Sequence, residues 1–143
     1  MCLNTKTSVY SVAKNNIKCY KVLLWDDGIY VTPYQKTYVP KLVREGSIPF
    51  FADGRQNICK DYCVETLEKL SDSYIIGNGF IHTYKYFGSA SDFKKHLEIM
   101  YPNSVLAIFE CEIPVGTKYY EGQDDFFEMS FASEKIMFKK QIV

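Results

Sequence analysis

Apolar and polar positions alternate most regularly between Ser104 and Phe138. Val105, Ala107, Phe109, Cys111 and Ile113 share one face of an extended chain, while Leu106 and Ile108 take the other, followed there by Glu110 and Glu112. Apolar residues on both faces first, and a polar second face later, predict a central strand that emerges towards solvent. Pro114 cannot donate to a ladder and Gly116 tolerates positive φ, so residues 113–117 predict a fixed corner. Glu134 to Phe138 predicts a short return strand with Ile136 and Phe138 on one face, after an acidic, aromatic excursion.

The same reading extends along the chain. Residues 1–16 are polar, with only Val9, Tyr10 and Val12 able to pack, and predict an extended arm frayed at its start. Ile17 to Trp25 reads as a strand, Asp27-Gly28 as a hairpin turn and Ile29 to Tyr34 as its return, with Pro33 placing that return at an edge. Tyr38-Val39-Pro40 and Ile48 to Phe51 are short extended pieces. Asp61 to Leu70 predicts a short helix, with Cys63, Leu67 and Leu70 on one stripe. Tyr74 to Ile76 is a brief strand, and Phe80 to Tyr84 resumes extended structure after Gly77-Asn78-Gly79. Ser91 reads as the N-cap of a second helix, with Phe93, Leu97 and Met100 at helical spacing and Pro102 as its stop. Strands outnumber helices, so the pattern predicts an α+β fold: a mostly antiparallel, curved or split sheet with two short helices, in a single domain.

Composition narrows the function classes. Lys and Arg number 17 and Asp and Glu 17, which argues against a nucleic-acid partner held by phosphate neutralisation. No apolar run is long enough to span a bilayer, so no membrane association is expected. The first six residues, Met1 to Lys6, lack the apolar core of a signal peptide, and a cytoplasmic location in the producing or host cell is expected. Five cysteines, an odd number, read as reduced thiols in such a compartment. Twelve Tyr and ten Phe exceed ordinary core needs and point to half-buried strand positions and to an interface.

Candidate chemistry is sparse. Cys59 and Cys63, with His82, His96 and Cys111, are conceivable zinc ligands, but their spacing matches no compact zinc module and no metal is expected. His82 could serve as a base beside Cys111 or Cys19, or simply be a strand histidine satisfied by a neighbouring hydroxyl. Glu121, Asp124, Asp125, Glu128 and Glu134 lack a spaced cation-binding loop and read as a solvated loop anchored by Phe126 and Phe127. Tyr119, Tyr120 and Glu121 are the candidates for binding a protein partner: adjacent residues of an extended segment face opposite ways, so one tyrosine can anchor the core while its neighbour stays outside. No nucleophile elbow, phosphate-cradling glycine loop or HExxH sequence occurs.

Several blocks resemble a family of small proteins of tailed phages and of gut bacteria carrying prophages. They are Met1-Cys2-Leu3, Cys19 to Leu23, Thr32-Pro33-Tyr34, Gly79 to Tyr84, Ile113 to Gly122 and Ala132 to Ile136. That resemblance implies no activity. The closing pattern, Ile113-Pro114-Val115-Gly116-Thr117 followed by Ala132-Ser133-Glu134-Lys135-Ile136, is also similar to the domain that trails some pentapeptide-repeat proteins. A weaker similarity is to ADP-ribosyltransferases, which carry an Arg or His on a first strand, Ser-Thr-Ser on a middle strand and a Glu after an Ile-Pro-x-Gly corner. It places Tyr20-Lys21, Phe80 to Thr83 and Glu134-Lys135-Ile136 at those motifs. It would imply NAD as cofactor and Lys21, His82 and Glu134 as site residues. Lys21 departs from Arg, Ser-Thr-Ser is absent, and Lys135 stands at the place of the catalytic carboxylate, where its charge opposes an oxocarbenium-like sugar. The leading expectation is therefore a phage- or prophage-related protein that binds a protein partner without catalysis. The alternative is an ADP-ribosyltransferase-like enzyme or a nucleotide-binding module.

Overall fold

The computed structural model describes residues 3–7, 9–35, 42–43, 49–50, 56–58, 67–70, 73–76 and 80–143. In chain order the strands are β1 (Leu3–Thr5), β2 (Ser11–Val12), β3 (Ile17–Asp26), β4 (Ile29–Val31), β5 (Tyr34–Gln35), β6 (Leu42–Val43), β7 (Pro49–Phe50) and β8 (Gln56–Ile58). They continue with β9 (Leu67–Leu70), β10 (Ser73–Ile76) and β11 (Ile81–Tyr84), the helix α1 (Phe87–Met100), and β12 (Leu106–Ile113), β13 (Lys118–Gln123), β14 (Met129–Ser133) and β15 (Lys135–Gln141). The fold is sheet-rich, antiparallel and a single domain. Its main path runs β8-β15-β12-β3-β11-β14-β13-β1-β10-β9, with β5 and β6 forming a separate pair.

The alternation around Ser104 gives the central strand. β12 pairs with β3 without interruption from Leu106↔Leu24 to Ile113↔Ile17 and with β15 on its other side. Ala107, Phe109, Cys111 and Ile113 enter one core with Cys19, Leu23, Ile136 and Phe138. Leu106 and Ile108 enter a second core on the opposite face, with Val22, Leu24, Tyr84 and Leu97 of α1. Glu110 and Glu112 are only half-buried and meet Lys18 and Lys139. The corner also forms: Gly116 has φ +85° and its N–H donates to the Ala13 carbonyl at 2.8 Å. The Asp27-Gly28 turn joins β3 to β4 with both residues at positive φ.

Four expectations are corrected. Only one helix, α1, is found among the described residues. The helix expected over Asp61 to Leu70 ends instead in strand β9, whose residues Leu67–Leu70 pair with Ser73–Ile76; residues 61–66 lie outside the described residues. The extended, apolar Tyr74-Ile75-Ile76 offers an adjacent backbone ladder, which outweighs a three-residue helical stripe. α1 begins at Phe87, not after Ser91. Its cap residue, Tyr86, makes no side-chain cap bond; the extra turn is held by packing, since the Phe87 ring meets Tyr20 edge-on at 5.9 Å and Ser89 Oγ donates to Glu128 Oε2 at 2.7 Å.

The amino-terminal stretch contains extended pieces, as expected, but it packs through Leu3 and not through Val9, Tyr10 and Val12, which are exposed. β1 lies between β13 and β10, and the Leu3 side chain is fully buried. Finally, the acidic excursion returns as a strand. Met129–Ser133 carries small and polar residues, yet Ser130, Phe131, Ala132 and Ser133 are all buried because β14 lies between β11 and β13. Among the described residues no helix is long and apolar enough to cross a membrane.

Candidate functional site

The sheet opens between β3 and β11. β3 and β11 share a single pair, Tyr20↔Tyr84, and then diverge. Even-numbered residues of β11 turn their peptide groups towards β3, because Ile81, Thr83 and Lys85 bond towards β14, as Lys85 N–H to the Met129 carbonyl at 3.0 Å shows. The His82 carbonyl thus faces β3, where a continued ladder would have supplied a backbone N–H. It accepts instead from Lys21 Nζ at 2.7 Å. Lys21 is only 6% exposed, so its charged end is held in the opening while its stem packs inside.

A cleft of about 370 Å³ occupies this opening. Lys21 and His82 line it on the sheet side, Thr32 and Pro33 follow β4, and Phe93 and Leu97 come from α1. Tyr84, Asp124, Asp125 and Phe126 complete the wall. A smaller recess of about 190 Å³ adjoins it and shares Tyr84, Phe93, Asp124 and Phe126.

Asp124 is the residue that shapes the far wall. The connection from β13 to β14 is a tight turn in which Phe127 N–H donates to the Asp124 carbonyl and Asp124 N–H donates to the Glu128 carbonyl, both at 3.0 Å. Asp124 Oδ1 accepts from the N–H groups of Phe126 and Glu128, both at 2.9 Å, the side-chain mimicry of a turn at which Asp excels. Phe127 sits at φ 62°, a left-handed conformation that a bulky residue rarely adopts. The side chain of Asp124 is 2% exposed, and Oδ2 makes no hydrogen bond of good geometry. The Tyr84 hydroxyl faces this carboxylate. Burial first, then the Asp124 charge and contact, push the tyrosine well above its ordinary pKa, although that contact falls short of a well-formed bond to Oδ2.

The residues singled out from sequence divide cleanly. Lys21 and His82 meet in the cleft, while Glu134 does not line it. Tyr119 and Tyr120 face opposite sides of the sheet, as their adjacency requires, but neither is an exposed anchor. Tyr120 is buried with its ring 5.6 Å from Phe80, and Tyr119 is half-buried with its ring 5.9 Å from Phe131. Glu121 accepts from Lys85 Nζ at 2.8 Å. His96 is exposed on α1 and its ring stands 5.8 Å from Phe126. Cys59 and Cys63 lie outside the described residues, among which no group of three metal-ligating side chains occurs. Sequence reasoning overlooked Tyr84, Phe93 and Phe126 as cleft residues and took Asp124 for a solvated loop carboxylate. The signal for Asp124 was its place at the head of a five-residue turn.

Compared with protein-family models, curated proteins and solved structures, the chain matches none of them.

Proposed function

We propose that the chain is a binding module that holds a small, nucleotide-like ligand in the cleft between β3 and β11 and does not turn it over. The observation that carries this reading is the convergence of Lys21 and His82 with the aromatic residues Tyr84, Phe93 and Phe126 around one cleft. A cation suits a phosphate, and aromatic walls suit a flat ring. The cleft volume falls in the range of small-molecule sites, in which a few polar groups converge on largely apolar walls. The similarity to ADP-ribosyltransferases points to the same ligand class, but the residues fit binding better than NAD cleavage. Glu134 lies away from the cleft, so no carboxylate from that motif stands ready to stabilise a positively charged sugar. Such a module would act in the cytoplasm of a phage-infected or prophage-bearing cell, in keeping with the other resemblance.

Calorimetric titration with adenosine monophosphate, NAD and inorganic phosphate tests the reading. Binding of adenosine monophosphate or NAD, weakened by Lys21→Met and without release of nicotinamide from NAD, is the expected result. No heat with any nucleotide would overturn it, and nicotinamide release abolished by His82→Ala would establish the enzyme instead.

The expectation of a protein partner is retained as a second reading by a different observation. Phe126 is 63% and Phe127 79% exposed at the tip of a turn that holds Phe127 in a strained conformation. Strain kept for an exposed aromatic ring is a feature of contact surfaces. Retention of a captured protein by the parent chain and its loss from Phe127→Gly would support this reading.

A further inference from the structure

We infer that the cleft is limited to ligands carrying a single phosphate, and that Asp125, beside Asp124, sets this limit by repelling further negative charge. This rests on the nucleotide-binding reading above and names the charge that the ligand can carry. Among the described residues lining the cleft, Lys21 brings one positive charge and Asp124 and Asp125 two negative ones, with His82 counted as neutral. The two signs stand on different elements: Lys21 on β3, both aspartates on the turn after β13. One phosphate offsets the Lys21 charge, and the ammonium already gives one of its three N–H groups to the His82 carbonyl. A second phosphate then meets carboxylates, with no further lysine or arginine among the described lining residues. The cleft is too small for distance to relieve this. Its volume of about 370 Å³ lies near the low end of small-molecule sites. A cube of that volume is about 7 Å on a side, shorter than the Debye length of about 8 Å at physiological salt. Asp124 is tied into its turn by two backbone N–H groups and is 2% exposed, whereas Asp125 is exposed. The charge of Asp125 is felt by a residue of the same cleft. The pKa of Tyr84 is raised by burial first, then by the charge and contact of Asp124 and the charges of Glu128 and Asp125.

The test titrates the chain with adenosine and its mono-, di- and triphosphates, at low salt and without divalent cations to mask the phosphates. Affinity should peak at the monophosphate. Adenosine lacks the anion that Lys21 attracts, and each phosphate beyond the first should weaken binding about threefold or more, the effect of one repulsion across about 7 Å. Asp125→Asn keeps the size of the side chain and removes its charge, and because Asp124 holds the turn the variant should fold. It should bring the monophosphate and triphosphate affinities closer together by about threefold or more, whereas a merely structural role would weaken all the nucleotides alike. Affinity that is equal across the series, or that rises with each phosphate, would overturn the inference and leave the nucleotide-binding reading standing. An unchanged ratio of monophosphate to triphosphate affinity in the folded Asp125→Asn variant would overturn the role of Asp125. Failure of every member of the series to bind would overturn both readings.

Discussion

Lys21 and His82 are joined side chain to main chain: the lysine ammonium donates at 2.7 Å to the carbonyl oxygen that the opened sheet leaves facing β3. The bond answers two needs at once. It gives a buried backbone acceptor its donor, and it holds a cation where β3 and β11 share one pair and no further ladder. Replacing Lys21 with Met keeps the stem and removes the charge. The variant should fold with a stability loss of about 1–2 kcal/mol from the unpaired carbonyl, and its affinity for phosphate-bearing ligands should fall while becoming less dependent on salt. Chemical denaturation and titration at two ionic strengths read the two effects separately.

Cys19 and Cys111 lie directly opposite each other on β3 and β12, both buried and both free thiols. They should nevertheless stay reduced in the native protein. Trp25 N–H donates to the Val105 carbonyl at 2.9 Å, and alternation along the ladder puts Cys19 and Cys111 in the same closely bonded class of pair. There the Cβ atoms stand up to about 5.5 Å apart, too far for a disulfide without backbone movement. Burial also pushes the Cys19 thiol from 9.0 up to about 12 and raises Cys111 further in the same direction. Thiol reagent at neutral pH should spare both in the folded state and modify both after denaturation; all five cysteines should then be countable without reductant.

The same thiols carry a pH dependence. Their folded pKa values lie above the unfolded ones, so their contribution is complete below about pH 9. Between pH 9 and about 12 the unfolded chain loses protons that the native state keeps, and stability falls. Replacing both cysteines by alanine should lower stability at pH 7 through lost packing, yet flatten its decline over pH 9 to 11. Denaturant midpoints measured across that range provide the check, and an unaltered slope would contradict it.

Two glycines on β13 and its corner should respond differently to alanine. At Gly116 an added Cβ meets nothing within 4 Å, and the cost is the positive φ alone, about 1 kcal/mol and more for valine. At Gly122 the added Cβ would stand 2.1 Å from the Asn4 carbonyl oxygen and 2.9 Å from its carbon, so β1 must move away. Gly122→Ala should therefore be the costlier change, by about 1–3 kcal/mol, as overpacking generally is. Thermal melts of the two variants side by side give the order.

Phe127→Gly should act in the opposite sense. The ring is largely exposed and makes little packing to lose, while glycine accepts φ 62° without strain. Stability should rise by about 1 kcal/mol, offset in part by the greater freedom of glycine in the unfolded chain. A lower melting temperature would show that the ring is held by contacts.

Period-two alternation and turn chemistry made the frame of this protein legible from its residues. They placed β3, β4, β12, the corner at Gly116, the return at Ile136 and the body of α1, because each is set by local sterics and by apolar faces wide enough to read. They also singled out Lys21 and His82, though from a resemblance and a strand position, not from proximity. What they could not give was anything decided by neighbours distant in sequence. β14 reads as a polar excursion because Ser130, Ala132 and Ser133 carry little hydrophobic signal; the two strands beside it bury them. Leu67–Leu70 is a strand because β10 presents a ladder. Tyr119 is half-buried because Phe131 lies opposite its ring. The cleft is a tertiary event of the same kind: it exists because β3 and β11 part after one pair, and Asp124 lines it because a turn well beyond His82 in the sequence folds back over the gap.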